Sequence, residues 1–219
     1  NDRRELDAAL ASAVSERLQV AVASRGKAYL VVSGGSTPAN LFTLLARTNI
    51  DWDRVVVLLA DERWVADDDK DRNERLVRET LLTQNASDAE FVSLIPASGE
   101  GDNDIASVLA TLSSLPEFDV VLLGMGEDAH TASLFPCAAE LAAGMTTHED
   151  ALITRPLSAP YTRVSLSKNR LLHTRHGMLH IVGEKKKAVL ERALQSGNEM
   201  QYPISAFVGQ SGFDCWWAP

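Results

Sequence analysis

Runs of uninterrupted apolar residues alternate along this chain with stretches of helical periodicity. The apolar runs include AYLVV, RVVVLLA and FDVVLLG, and each follows a segment with the pattern of an amphipathic helix. From residue 4 to about residue 24, for example, apolar side chains recur every four positions: Leu6, Leu10, Val14, Leu18 and Val22. Strands without polar alternation are buried on both faces, and strands connected through helices pair in parallel. The pattern predicts an α/β fold with a parallel sheet covered on both faces.

The pattern becomes less regular after Pro136. ALITRPL, TRVSLS and MLHIVG are predicted strands, followed by the helix EKKKAVLERALQ and a last strand, ISAFVG. We expect these strands to join the same sheet in mixed orientation. No Pro/Ser-rich linker, repeat or low-complexity segment interrupts the 219 residues, of which 45% are apolar. Residues 1–219 are therefore predicted to form a single domain.

Charge and cysteine content exclude several classes of function. A net charge of −9 argues against binding nucleic acid, which requires a Lys/Arg-rich face. A small anion can still be held by a few cations and backbone N–H groups. The two cysteines form no CxxC pair or disulfide framework, and no apolar run approaches the roughly 20 residues of a membrane helix. With its charged opening, NDRRELDAAL, the chain is predicted to be cytoplasmic, with no membrane partner.

Open α/β sheets bind ligands at the carboxyl ends of their strands, so the loops there are the candidate sites. The first is VVSGGSTPANL, in which Gly34 and Gly35 allow close approach of the backbone. Ser36 or Thr37 is predicted to cap a helix that begins at Pro38, with free N–H groups that suit an anion. An ordinary strand-to-helix turn would use the same residues.

Two further loops supply cations. LLADERWV should bring Asp61, Glu62 and Arg63 to the same rim, where Arg63 could hold a phosphate. Taken in isolation, DER is more typical of a solvated loop. VGEKKKAVLERAL places three lysines, 185 to 187, in the first turn of a helix, where cations oppose the helix dipole. A bound anion would offset that repulsion; a solvated basic face is the alternative.

The remaining loop, LLGMGEDAHTASLFP, carries His130. Its GMGEDA resembles a dinucleotide fingerprint, but it lies on a mid-chain strand and no acidic residue clearly ends a strand about 20 residues later. An imidazole near a strand end, with Asp128 two residues before it, can accept a proton from water and return it to a leaving group. A purely structural histidine is the alternative. Together the four loops suggest a phosphorylated small molecule as ligand.

Six blocks in this order, SGGSTP, ADERWV, DRNERLVRETLL, LLGMGEDAHTASLFP, TRVSLS and GEKKKAVLERAL, span about 160 residues. They closely resemble the 6-phosphogluconolactonases of the glucosamine-6-phosphate isomerase/6-phosphogluconolactonase family. The resemblance implies a modified doubly wound, Rossmann-like sheet of the NagB/ribose-5-phosphate-isomerase-like type. It also implies hydrolysis of 6-phosphoglucono-δ-lactone without metal or cofactor, by a monomer or weak homodimer.

The resemblance assigns roles to individual residues. It implies that His130 is the general base, that Asp128 lies beside it, and that Arg163 belongs to the site. The implied phosphate pocket comprises a glycine turn and two cations: Gly34, Gly35, Ser36, Thr37, Arg63 and Lys186. The chain departs from the family pattern at Ala129, where glycine is usual, so a positive φ would be less comfortable there.

Two other functions remain open on sequence alone. The same scaffold serves sugar-phosphate isomerases and deaminases, although these carry an aromatic residue after DE and AFNEP after the histidine, where this chain has Arg63 and SLFP. A sugar-phosphate sensor would retain the pocket without turnover.

Overall fold

The computed structural model describes residues 2–96, 105–209 and 212–219, which contain seven α-helices and nine β-strands. In chain order they are α1 (Arg3–Arg25), β1 (Ala28–Val32), α2 (Ala39–Leu45), β2 (Val55–Leu59), β3 (Asp61–Arg63), α3 (Asn73–Thr80), β4 (Glu90–Val92), α4 (Ala106–Ser114), β5 (Phe118–Leu123), α5 (Leu141–Thr146), β6 (Ala151–Thr154), β7 (Arg163–Leu166), α6 (Lys168–Leu172), β8 (Thr174–Val182), α7 (Glu184–Ser196) and β9 (Phe213–Ala218). Short 3-10 turns occupy Trp52–Arg54, Gln84–Ala86 and Pro203–Ala206. Asp104, in the predicted helix DIASVLATLSSL, lies outside the described residues.

Six strands form a fully parallel sheet in the order β4-β2-β1-β5-β8-β9. Every residue of β2 and β5 is buried, as expected for apolar strands covered on both faces. The predicted parallel α/β sheet is therefore confirmed. Because the strands run the same way, the loops after β1, β2, β5 and β8 all open at one edge.

A second sheet of three antiparallel strands, in the order β3-β7-β6, corrects two expectations. The segment DER is a strand rather than a loop, and β6 and β7 do not join the main sheet. The chain changes sheets at Ala60, whose N–H donates to Val32 O (2.8 Å) while its C=O accepts from Leu166 N (2.9 Å). This change of sheet places Arg63 in register with Arg163.

The expected last strand, ISAFVG, is wrong. Pro203 begins a 3-10 turn, and the next residue, Ile204, donates its N–H to Ala129 O (3.0 Å) in the loop of His130. The sixth strand of the main sheet is β9, which was not among the predicted strands. Gly177 makes room for it, because a Cβ there would lie 2.2 Å from the ring of Phe213.

The amphipathic helix α1 packs against the main sheet. Asp2 and Glu5 form a capping box at its start, and Gly26 ends it in the left-handed conformation, with φ of 78°. Its predicted apolar stripe is buried. Within the described ranges, no helix has the length and apolar character needed to cross a membrane.

Candidate functional site

A cavity of about 260 Å³ lies where the carboxyl ends of the parallel strands meet the small antiparallel sheet. Eight of the nine predicted site residues line it: Gly34, Gly35, Ser36, Thr37, Arg63, His130, Arg163 and Lys186. The ninth, Asp128, contacts His130 from outside the lining. The fold thus brings together segments that lie up to about 150 residues apart in the chain.

The loop between β1 and α2 forms one wall of the cavity. Gly34 packs so closely on Asn73 that a Cβ would lie 1.9 Å from the Asn73 Oδ1 atom, and Gly35 has a φ of 90°. Both positions therefore require glycine. The predicted cap is wrong: α2 begins at Ala39 with Pro38 in the cap position, and neither Ser36 nor Thr37 bonds to the helix start.

Strand β3 separates the three residues of the DER segment by its alternation. Asp61 and Arg63 line the cavity, whereas Glu62 is fully buried away from it, against the expectation that all three would reach one rim. The Glu62 carboxylate accepts backbone N–H bonds from Arg63 (2.6 Å), Asn73 (2.8 Å) and Glu74 (2.7 Å), which fixes the start of α3. Burial raises the pKa of Glu62 to about 7, although these three hydrogen bonds act in the opposite direction.

Asp61, Ser133 and Arg163 form a buried polar cluster beside Arg63. Ser133 Oγ donates to Asp61 Oδ2 (2.5 Å), and Arg163 Nη1 lies 3.6 Å from the same oxygen. Burial lowers the pKa of Arg163, and the charge of Asp61 opposes that shift. Arg63 instead donates Nη1 to the backbone carbonyl of Asp71 (2.5 Å). The positive charge of Arg63 is therefore not neutralised by a salt bridge within the described part of the chain.

The loop after β5 holds His130 by its backbone and by its ring. Asp128 Oδ1 lies 2.5 Å from Nδ1 and accepts the His130 backbone N–H at 3.2 Å. The ring stacks on Phe135, with centroids 3.8 Å apart. Gly126 is required, because a Cβ there would lie 2.2 Å from Nδ1 of His130. With Nδ1 engaged by Asp128, Nε2 is the ring nitrogen left for the cavity that His130 lines.

The electrostatics of Asp128 follow from its contact with His130. Burial raises the pKa of the carboxyl, but hydrogen bonds and charge from His130 outweigh that effect and hold the pKa below its usual value. Asp128 is therefore ionised at neutral pH, and an ionised carboxylate beside Nδ1 favours the tautomer that carries the proton on Nδ1.

Ala129 has the positive φ that its position suggested, 65°. It is fully buried, its N–H donates to Gly126 O (3.1 Å), and its C=O accepts from Ile204 N (3.0 Å). These contacts hold the alanine in a conformation that glycine adopts more readily.

The three lysines at the start of α7 have separate environments. Lys186 is half-buried and lines the cavity, Lys187 lies over the ring of Trp217 at 4.1 Å, and Lys185 is exposed. Burial lowers the pKa of Lys186, and the charge of Glu127 acts against this. Only Lys186 of the three lysines lines the cavity.

Several lining residues were not predicted as site residues, among them Asn73, Ser33 and His180. Asn73 lies in DRNERLVRETLL, a block that contributes to the family resemblance but in which no site residue was predicted. His180 lies in MLHIVG, which was predicted only as a strand; it is buried in β8 and also lines the cavity. A histidine in an otherwise apolar strand, three residues before a strand-end glycine, was the available signal.

Several known proteins resemble this chain in sequence and in fold. A 6-phosphogluconolactonase from Pseudomonas putida is 38% identical over 221 residues, covering 100% of this chain and 90% of that protein. The crystal structure of a 6-phosphogluconolactonase from Shewanella baltica OS155 superimposes with a TM-score of 0.96 at 44% identity, covering 100% of this chain and 95% of the other. A monomeric glucosamine-6-phosphate deaminase shares the fold, with a TM-score of 0.81 at 16% identity over 99% of this chain and 94% of its own.

The family model described as glucosamine-6-phosphate isomerases/6-phosphogluconolactonase matches residues 1–217, nearly the whole sequence. The chain belongs to the glucosamine-6-phosphate isomerase/6-phosphogluconolactonase family.

Proposed function

We propose that this enzyme hydrolyses 6-phosphoglucono-δ-lactone to 6-phosphogluconate, a reaction of the oxidative pentose phosphate pathway. The two relatives at 38% and 44% identity, matched over 90% and 95% of their own length, are 6-phosphogluconolactonases. The observation that carries the proposal is the pairing of His130 Nδ1 with Asp128, which leaves Nε2 for a cavity that also contains unpaired cations. A proton acceptor and an anion site in one cavity suit a phosphorylated ester.

The anionic end of the substrate requires positive charge that is not already paired. Arg163 is near Asp61, but neither Arg63 nor Lys186 forms a salt bridge within the described ranges, and both line the cavity. We assign the phosphate to these two cations and to the turn of Gly34, Gly35, Ser36 and Thr37. Arg163, buried and held over the Phe135 ring at 5.2 Å, completes the wall near His130.

The chemical step follows from the hydrogen bonding of His130, whose Nδ1 pairs with Asp128 and whose Nε2 is left for the cavity. A δ-lactone is an activated ester, so a positioned and deprotonated water suffices to open it. Nε2 of His130 takes a proton from water as the oxygen attacks C1, and the imidazolium donates that proton to the ring oxygen when the tetrahedral intermediate collapses. Asp128 stabilises the imidazolium through Nδ1 and keeps the ring oriented. Phosphate binding fixes C1 against the imidazole.

The test is the loss of freshly generated lactone at neutral pH, with purified protein compared with buffer, because the lactone also opens spontaneously. We expect rapid loss with the wild-type protein and loss near the buffer rate with His130→Ala. Wild-type protein that does not exceed the buffer rate would refute the proposed activity.

The two alternatives give different results in parallel assays. A deaminase would release ammonia from glucosamine 6-phosphate, whereas a sensor would bind 6-phosphogluconate and hydrolyse nothing. The deaminase relative supports only the fold, and here Arg63 stands where the deaminases carry an aromatic residue. We also propose that residues 1–219 act as one cytoplasmic domain, as a monomer or weak homodimer without nucleic acid, in keeping with the net charge of −9.

A further inference from the structure

His180 is a second histidine on the cavity wall, and the proposed mechanism does not use it. It lies on β8, its exposed fraction is 2%, and it lines the same cavity as Lys186. Within the described ranges, neither of its ring nitrogens makes a well-aligned hydrogen bond. A buried polar group without a partner is costly, so an unsatisfied imidazole on a ligand cavity points to a partner that arrives with the ligand.

Asp7 of α1 fixes the position of His180. Its carboxylate is fully buried, with Oδ1 3.0 Å from His180 Nε2 and Oδ2 accepting a hydrogen bond from Asn40 Nδ2 (2.7 Å). One turn earlier in α1, Arg3 donates to the backbone carbonyl of Thr37 (3.1 Å), in the glycine turn. Asp7 and Arg3 therefore connect α1 to both sides of the proposed phosphate pocket.

The charges that face His180 determine its protonation. Burial lowers the pKa of the imidazole; Asp7 raises it, and Arg3 and Lys186 lower it further. Two neutral side chains also lie close by: Trp216 is in register with His180 on β9, and Asn40 of α2 donates to Asp7. His180 is thus neutral at neutral pH in the free protein. With Nε2 turned to the Asp7 carboxylate, the proton of the neutral ring lies on Nε2, and Nδ1 has a bare lone pair.

We propose that His180 binds the phosphoryl group of the substrate and takes up a proton from solvent as it does so, with Asp7 as its positioning residue. The inference rests on the proposed function, since it assigns a further ligand to the phosphate of that substrate. A bare Nδ1 lone pair would repel a phosphate oxygen, whereas Nδ1–H donates to it. The two negative charges of the phosphate supply the stabilisation that the imidazolium lacks in the free protein.

Proton uptake is measurable without turnover. Binding of 6-phosphogluconate is followed by titration calorimetry at about pH 8, where the phosphate is already a dianion. Two buffers of different ionisation enthalpy give the number of protons taken up.

We expect uptake of up to about one proton per site in the wild type and none in His180→Gln. In that variant the Gln amide reaches the Nε2 position beside Asp7, but nothing replaces Nδ1. KM for the lactone should rise about 10- to 100-fold with kcat within about threefold.

His180→Asn provides a second variant in case His180→Gln is unstable. Its amide nitrogen occupies the place of Nδ1 and cannot titrate, so we expect better retention of affinity and no proton uptake. The matched control is His176→Gln, on the same strand but exposed and outside the cavity lining, which should behave as wild type. Proton uptake that persists in both His180 variants, or is absent in the wild type, would overturn the inference. Failure of lactone hydrolysis with proton-linked binding intact would instead remove the proposed function alone.

Discussion

The described residues include two histidine–aspartate pairs on or beside one cavity. The pairs share the same two residue types but differ in sequence separation, in burial and in the ring nitrogen that faces the carboxylate. The loop pair, His130 and Asp128, is two residues apart in sequence, with side chains 27% and 41% exposed and 2.5 Å between Nδ1 and Oδ1. The buried pair, His180 and Asp7, joins β8 to α1, with side chains 2% and 0% exposed and 3.0 Å between Nε2 and Oδ1. Opposite ring nitrogens face the carboxylate in the two pairs.

Burial explains why the same two residue types suit different tasks. An imidazole with access to solvent gains and loses a proton at little cost, which a general base must do in every turnover. A buried imidazole is charged only when a counter-charge arrives, which suits a group that responds to an anion. The burial of a histidine, more than its acidic neighbour, therefore decides whether the side chain transfers protons or binds an anion.

The sharpest test of the comparison is His130→Ala, for which we expect the largest effect. Removing the general base should lower kcat by about 10²- to 10⁴-fold, with little change in KM because the phosphate contacts remain. The measurement is the initial rate of lactone loss as a function of substrate concentration. His148→Ala, at an exposed histidine outside the cavity lining, is the control and should match the wild type. Unchanged turnover in His130→Ala would remove the loop pair from the mechanism.

Asp7→Asn tests the buried pair, and its main expected effect is on stability. The neutral amide offers an acceptor to only one of the two neighbouring donors, His180 Nε2–H and Asn40 Nδ2–H. One donor is then left unpaired in the interior, so the free energy of unfolding should fall by about 1–3 kcal/mol. Urea denaturation followed by circular dichroism gives this value. We also expect a higher KM with nearly unchanged kcat.

Asp128→Asn is the matched change in the loop pair. It should lower kcat with little effect on the free energy of unfolding, the reverse of what we expect for Asp7→Asn. Because Asp128 is 41% exposed on its side chain, the free energy of unfolding should change by less than about 0.5 kcal/mol. Its kcat should fall, since His130 loses the group that orients it and stabilises its charged form. Equal stability losses in the two variants would contradict the distinction between the pairs.

The pH dependence of stability separates the pairs without a ligand. The pKa of His180 is lowered on folding, so below its ordinary value of 6.5 the unfolded chain binds a proton that the native protein does not. The contribution of His180 to the free energy of unfolding should therefore decrease as pH falls from 6.5, by at most about 1.4 kcal/mol per pH unit. Glu62, whose pKa is raised to about 7, acts in the opposite direction, but it is present in both wild type and His180→Gln and cancels in their difference. Asp128, with a pKa below its ordinary 3.8, should lose its contribution only in stronger acid. Denaturation of wild type and His180→Gln at several pH values is the measurement, and parallel slopes would refute the assignment.

The sequence predicts the loop pair but not the buried pair, because the two pairs differ in how far apart their residues lie in the chain. The loop pair is local: Asp128 and His130 follow an apolar strand, and the strand-end rule places them at the ligand edge. In the buried pair, 172 residues of chain separate Asp7 from His180, and the two meet only after α1 has packed against the sheet that contains β8. The apolar stripe of α1 predicted the helix, but nothing local indicated that Asp7 would be buried.

The same reasoning accounts for the remaining differences in the fold. Continuous apolar strands predicted the parallel sheet, because a strand that is buried on both faces has apolar residues at nearly every position. The three-residue strand β3 is too short to show periodicity, and its partners lie about 100 residues later. The 3-10 turn at Pro203 and the edge strand β9 depend on packing, in particular on the space that Gly177 leaves for Phe213.

The smallest expected effect is that of Ala129→Gly, which tests whether the residue between Asp128 and His130 limits the loop pair. At a φ of 65°, alanine costs about 1 kcal/mol relative to glycine. Glycine adds about 0.5–1 kcal/mol of unfolded-state entropy and removes a fully buried methyl group. These contributions nearly cancel, so the free energy of unfolding should stay within about 1 kcal/mol of wild type.

Turnover in Ala129→Gly should be equally insensitive, because the hydrogen bonds to Gly126 and Ile204 that hold the loop are made by the backbone. We expect kcat within about twofold of wild type in the lactone assay. Ala129→Val gives the contrast: a β-branched residue tolerates positive φ poorly and has no free space at a fully buried position, so both stability and kcat should fall. A large gain in kcat for Ala129→Gly would mean that alanine displaces His130 from its best position for proton transfer. The backbone of the loop pair would then be strained by Ala129 in the wild-type protein.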